Sequence, residues 1–135
     1  MPRQRRTTRQ SYEPYLQRFM EWKDRREYVR GTVFTQAQLL EIRPSHLVRY
    51  MCRLAYGTET PDDDARPLGR RSSGLHFVKK AISFFMPNQN AKWNVEHESG
   101  NPTMSVAVNS LLKRIKKAEV RKRGNIKCKA RFEEA

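Results

Sequence analysis

Apolar residues recur at helical spacing in five stretches of this chain. In YEPYLQRFMEWKDRR, Tyr12, Tyr15, Leu16, Phe19 and Met20 share one face, and Glu13-Pro14 suits a first turn. Trp22 flanks that stripe, Lys23, Arg25 and Arg26 point outward, and Gly31 interrupts or ends the segment after them. FTQAQLLEI predicts a short helix capped by Thr35, with Gln38 three residues on as in a capping box. Its Leu39, Leu40 and Ile42 are expected to face inward.

RPSHLVRYMCRLAYG predicts a helix in which Ser45 can cap. Leu47, Tyr50, Met51 and Leu54 form its stripe, and Gly57 stops it. Arg49 and Arg53, four apart, are neighbours on the opposite side. Ser72 or Ser73 caps GLHFVKKAISFFM, whose core face is Leu75, Val78, Ala81, Ile82 and Phe85 and whose end is Pro87. Asn101-Pro102 reads as the start of the last helix. That helix buries Val108, Leu111, Leu112, Ile115 and Ala118 and ends at Gly124. TETPDDDARPLGRR and PNQNAKWNVEHESGNP are polar connections, the second anchored by Trp93. No stretch shows strand alternation. The pattern predicts an all-α fold of four principal amphipathic helices and one short one. Residues 1–11 form a basic flexible arm, 12–124 the helical domain, and 125–135 a disordered tail.

Charge changes the picture more than length does. The chain has 135 residues, 28 basic and 14 acidic, for a net charge of +14. That excess speaks to partners, nucleic acid or an anionic surface, and not to fold. The cations concentrate in the N-terminal arm, at Arg49 and Arg53, at Arg70 and Arg71 with Lys79 and Lys80, and from Lys113 through Arg114, Lys116, Lys117 and Arg121. Phosphate contacts need many cations, because each releases counterions. The final helix lacks the Trp or Phe that anchors an interfacial helix, so its stripe is read as core and not as a membrane face. Aromatic residues fall on core faces and not on an exposed stacking platform, which favours helices docked on a duplex over sheet-type RNA recognition. A small basic RNA-binding protein, and a basic-helix module for anionic membranes or acidic partners, are the alternatives.

Catalytic patterns are missing. His46, His76 and His97 have no companion at metal spacing, and no glycine-rich phosphate loop or G-x-S-x-G occurs. Asp62, Asp63 and Asp64 are adjacent, unlike the ligands of a calcium loop, and read as a solvated loop. Cys52 lies in an apolar stripe and Cys128 in a basic tail, so no disulfide framework is indicated. No metal, cofactor or small-molecule substrate is expected. No apolar run approaches membrane-spanning length and no signal peptide is evident, so the expected setting is soluble and intracellular, with the basic clusters tilting it toward the nucleus.

The strings RRSSGLHFVKKAISFFMPNQNAKWN and SGNPTMSVAVNSLLKRIKKAEVRKRG resemble the core-binding domain of tyrosine recombinases of the phage-integrase type. Within that family the resemblance is nearest to recombinase-like proteins of Crypton-type mobile elements. FTQAQLLEIRPSHLVRYMCRLAYG fits the same pattern, so the likeness covers roughly Tyr12 to Gly124. It implies a SAM-like bundle of about four helices forming one half of a clamp on double-stranded DNA. By position, the helix with Arg49 and Arg53 and the helix with Lys113, Arg114, Lys116 and Lys117 would approach the major groove and backbone. Lys79 and Lys80 would contact the backbone. Nothing singles out a base-reading residue, and assembly on DNA as a homo-oligomer is left open.

The family's catalytic domain carries an Arg, a Lys, a His-x-x-Arg box and a tyrosine nucleophile, and only tail residues follow Gly124. His46-Leu47-Val48-Arg49 fits the box by letter, but Leu47 belongs to a core stripe, so the match reads as coincidence. The expectation is a stand-alone or truncated binding domain without strand-transfer activity. The tail NIKCKARFEEA also departs from the basic linker such a domain would carry there.

Overall fold

The computed structural model describes residues 7–68 and 72–134, with side chains described as far as Val120. Five α-helices and one 3-10 turn form a packed bundle, and no strand occurs among the described residues. The helices are α1 (Thr8–Asp24), α2 (Gln36–Leu40), α3 (Pro44–Tyr56), α4 (Ser72–Phe84) and α5 (Val106–Glu134). The all-α architecture with four principal helices is therefore as the periodicity predicts.

Helix α1 begins earlier than expected, and the reason is local. Thr7 Oγ1 accepts from the Gln10 N–H at 3.2 Å, and Gln10 Oε1 accepts from the Thr7 N–H at 3.1 Å. This capping box satisfies two backbone donors at once and draws residues 8–11 out of the arm into the helix. Pro14 consequently sits inside α1 and not in its first turn. Its missing N–H costs one hydrogen bond, at an exposed position where the Gln10 carbonyl can be hydrated. Thr35 and Gln38 repeat the same box at α2, as the sequence indicates.

The cap expected at Ser45 is not used. Helix α3 starts at Pro44, and the His46 Nδ1 accepts from the Arg43 N–H at 3.0 Å. Gly57 ends it with φ 77°, its N–H bonding the Arg53 carbonyl at 2.9 Å.

The core draws on every principal helix. Phe19 and Met20 of α1, Leu47 and Met51 of α3, Leu75 and Ile82 of α4, and Leu112 and Ile115 of α5 are all essentially inaccessible. Helix α1 packs on α4, and α5 on both α3 and α4. The α1–α4 seam is aromatic, with Tyr12 and Tyr15 meeting Phe77 edge to face at 5.5 and 5.0 Å. Leu40, expected inside, is 56% exposed, because a helix of five residues turns only Leu39 inward. Phe85, Leu54 and Ala118 are half-buried at the rim of the core.

The connection 87–101 is ordered by hydrogen bonds, and Trp93 is only half-buried. Its anchor is Asn101, which has no exposed surface. Asn101 Nδ2 donates to Ser83 Oγ at 2.8 Å and to the Gln89 carbonyl at 3.0 Å, while Oδ1 accepts from Thr103 Oγ1 at 2.7 Å. Before it, Gly100 lies at φ 101°, where a Cβ would fall 2.3 Å from the Lys92 carbonyl oxygen, so only glycine fits. Asn101 caps a 3-10 turn (Pro102–Met104), not the last helix itself. Ser105 Oγ then accepts from the Val108 N–H at 3.3 Å and starts α5. That helix continues through Gly124, where the sequence suggested a stop, to Glu134.

Candidate nucleic-acid interface

The basic residues singled out in the sequence separate into groups with different surroundings. Arg49 and Arg53 project from the solvent face of α3, one turn apart. The residues that put them there lie across the helix: Leu47, Tyr50 and Met51 are buried. On α5, burial of Val108, Leu112 and Ile115 turns Lys113, Lys116 and Lys117 to solvent. Lys113 and Lys117 are four apart and Lys116 is three from Lys113, so the three ammonium groups crowd one side of the helix. Lys80 is exposed on α4. None of these six residues forms an ion pair among the described residues, where the pairs are Arg9–Glu13, Lys23–Asp24 and Arg43–Glu98.

Lys79 and Arg114 are instead attached to neighbouring elements. Lys79 is half-buried between α4 and α5, its Nζ donating to Asn109 Oδ1 at 2.6 Å. Burial pushes its ammonium pKa down. Its place is the helix seam and not an open face, unlike the adjacent Lys80. Arg114 faces the loop after α3, and its Nη2 donates to the Asp63 carbonyl at 3.0 Å. A carbonyl holds the guanidinium without cancelling its charge. Arg114 also lies close enough to Cys52 to favour that thiol's ionisation, against the larger effect of burial, which pushes it up. Arg70 and Arg71 lie outside the described residues, and Arg121 has a described backbone in α5 but no described side chain.

The end of α1 adds two exposed cations outside the faces of α3 and α5. Arg25 caps α1 in the left-handed region at φ 52°, and Arg26 follows it. Together with Arg53 of α3 they line an open hollow that also includes Trp22 and Tyr28. The signal that could have found them is the pair itself, at the end of a helix whose opposite face is the core stripe.

The acidic loop lies beside this basic surface. Glu59, Asp62, Asp63 and Asp64 are exposed, and the Asp63 carbonyl is tied to α5 through Arg114. Among the described residues no group of three or more His, Cys, Asp or Glu side chains could hold a metal ion. No described helix is long and apolar enough to cross a membrane.

His46, the first residue of the His-x-x-Arg letters, has its Nδ1 occupied by the backbone of Arg43. Burial lowers its pKa, and Lys23, Arg49 and Arg43 lower it further. It works here as a helix cap.

No protein-family model, no curated protein and no solved structure matches this chain.

Proposed function

We propose that this protein binds double-stranded DNA through the solvent faces of α3 and α5, without catalysing a reaction, in the manner of the recombinase core-binding domain its sequence resembles. The observation carrying this reading is the exposed group Lys113, Lys116 and Lys117, unpaired among the described residues and set on a helix whose other side is fixed in the core. Because the helix backbone is already fixed, binding a row of phosphates orders only the lysine side chains, at roughly 0.5–1.5 kcal/mol each. Arg49, Arg53 and Lys80 extend the positive surface. The fit is to the charge of a phosphate backbone; no residue is assigned to a base edge.

A salt titration of duplex binding tests the reading. With six to ten phosphate contacts, affinity drops roughly 10³–10⁵-fold between 50 and 200 mM salt. Replacing Lys113, Lys116 and Lys117 by Ala flattens the slope of log K against log salt by up to ~3 units, near one per lost contact. An unchanged slope removes α5 from the interface. Tighter binding to structured RNA at every salt concentration replaces the DNA reading with an RNA one.

A further inference from the structure

The hollow at the end of α1 combines two chemistries that a plain phosphate-contact surface does not need together. It is lined by Trp22, Arg25, Arg26, Tyr28 and Arg53 together with the carboxylates Glu21 and Glu27, and has a volume of about 550 Å³, widely open to solvent. The Glu21 carboxylate is occupied, accepting the Tyr28 N–H at 2.9 Å. The Tyr28 hydroxyl donates to Asp24 at 2.6 Å, which fixes the ring. Arg26 lies over that ring, its guanidinium carbon 4.5 Å from the centroid. Tyr28 therefore backs the Arg26 guanidinium on one side by a cation–π contact, and Arg26 itself is exposed. Arg25 and Arg53 are exposed on the same hollow and form no ion pair among the described residues.

A guanidinium plane backed by an aromatic ring is a surface on which a nucleobase stacks, and free arginines beside it suit the phosphates on either side of that base. The hollow is too open to enclose a free nucleotide, so the occupant is a unit of a polymer. A base paired within a duplex keeps its faces stacked on its neighbours and cannot offer one.

We propose that this hollow receives an unpaired nucleotide next to duplex DNA, its base on the Arg26–Tyr28 stack and its phosphates between Arg25 and Arg53. The inference rests on the DNA-binding reading above and makes it more specific: the preferred ligand is a duplex with a single-stranded end or gap.

The test compares one duplex in two forms, blunt and carrying a short thymidine overhang, at fixed salt. The overhang is expected to tighten binding about five- to tenfold, the gain of a stacked base. Arg26→Lys keeps the charge and loses the planar guanidinium, so the ratio of overhang to blunt affinity, measured within that variant, falls to about one. In a Trp93→Phe background, Trp22 fluorescence is quenched by the overhang duplex and much less by the blunt one. Equal affinities for the two duplexes overturn the inference, and so does a gain that survives Arg26→Lys. In both of those cases blunt-duplex binding persists and the broader reading stands. If the blunt duplex fails to bind at low salt while the overhang binds, the hollow stands and the duplex reading falls.

Discussion

Asn101 and His46 show how single side chains set this structure, and both act through the backbone around them. The Asn101 amide serves four partners: Ser83 Oγ, the Gln89 carbonyl, and the N–H and Oγ1 of Thr103. Asn101→Ala leaves buried groups unpartnered and is expected to cost about 3 kcal/mol, read as a lower denaturant midpoint. The sequence marked Asn101-Pro102 as a helix start, but the contacts to Ser83 and Gln89 join residues distant in the chain, and spacing alone does not reveal them. His46 gives a pH dependence. Burial, then Lys23, Arg49 and Arg43, hold its pKa below the ordinary value, with Asp24 acting the other way. As pH falls, the unfolded chain takes up the proton first. The stability from neutral His46 is therefore full above about pH 6.5 and is lost as pH falls through the lower folded value. Thermal melts from about pH 7.5 down to 5 should show this loss in the native chain. His46→Gln should flatten it, because Gln at this position can cap in the same way as Gln10 and Gln38 without titrating. Asp24 titrates in a separate window. Burial alone raises its pKa, but the hydrogen bonds from Lys23 and Tyr28 prevail and lower it, so its contribution disappears only in stronger acid.

At the scale of elements, the start of α4 is completed by α5. The Glu119 carboxylate accepts from the Ser72 N–H at 2.6 Å and from Ser72 Oγ at 2.9 Å. A negative charge thus sits at the positive end of the α4 dipole, delivered from 47 residues away in sequence. Glu119→Ala leaves the buried Ser72 without these acceptors and is expected to destabilise by about 1–3 kcal/mol, with the first turn of α4 exchanging its amide protons faster. Locally the sequence offers only Ser72 or Ser73 for this cap, and an acceptor 47 residues away leaves no signature in spacing. Stripes were more legible than ends. The buried positions of α3, α4 and α5 follow from helical spacing, with Leu54, Phe85 and Ala118 at the margin. The start of α1 was missed, since residues 1–11 read as an arm, although Thr7-x-x-Gln10 has the same form as Thr35-x-x-Gln38. The path of α5 through Gly124 was missed as well. Glycine inside a helix costs about 1 kcal/mol, which a long helix tolerates, and it stops a helix only when the chain takes the left-handed turn seen at Gly57.

For the whole molecule, charge placement decides what the net +14 can do. Counting cations identified the faces of α3 and α5 but could not separate Lys79, drawn into a seam, from Lys80, left outside it. It also missed that folding brings Arg25 and Arg26 beside Arg53. Nor could it show that the acidic loop 59–64 is tied to α5, by the Arg114 hydrogen bond to the Asp63 carbonyl. Asp62→Asn, Asp63→Asn and Asp64→Asn combined should tighten duplex binding about tenfold at low salt, with the difference shrinking as salt screens it. Gel shifts across an ionic-strength series measure this. The Arg114–Asp63 contact adds a kinetic consequence. Because a neutral carbonyl fastens the guanidinium, Arg114 keeps its full charge while losing freedom of movement. Distant phosphates still feel that charge during encounter, whereas direct bonding to a phosphate requires the loop contact to break first. Arg114→Gln should therefore slow association at low salt far more than it speeds dissociation. A stopped-flow trace would show this residue guiding the approach of the DNA more than it holds the complex together.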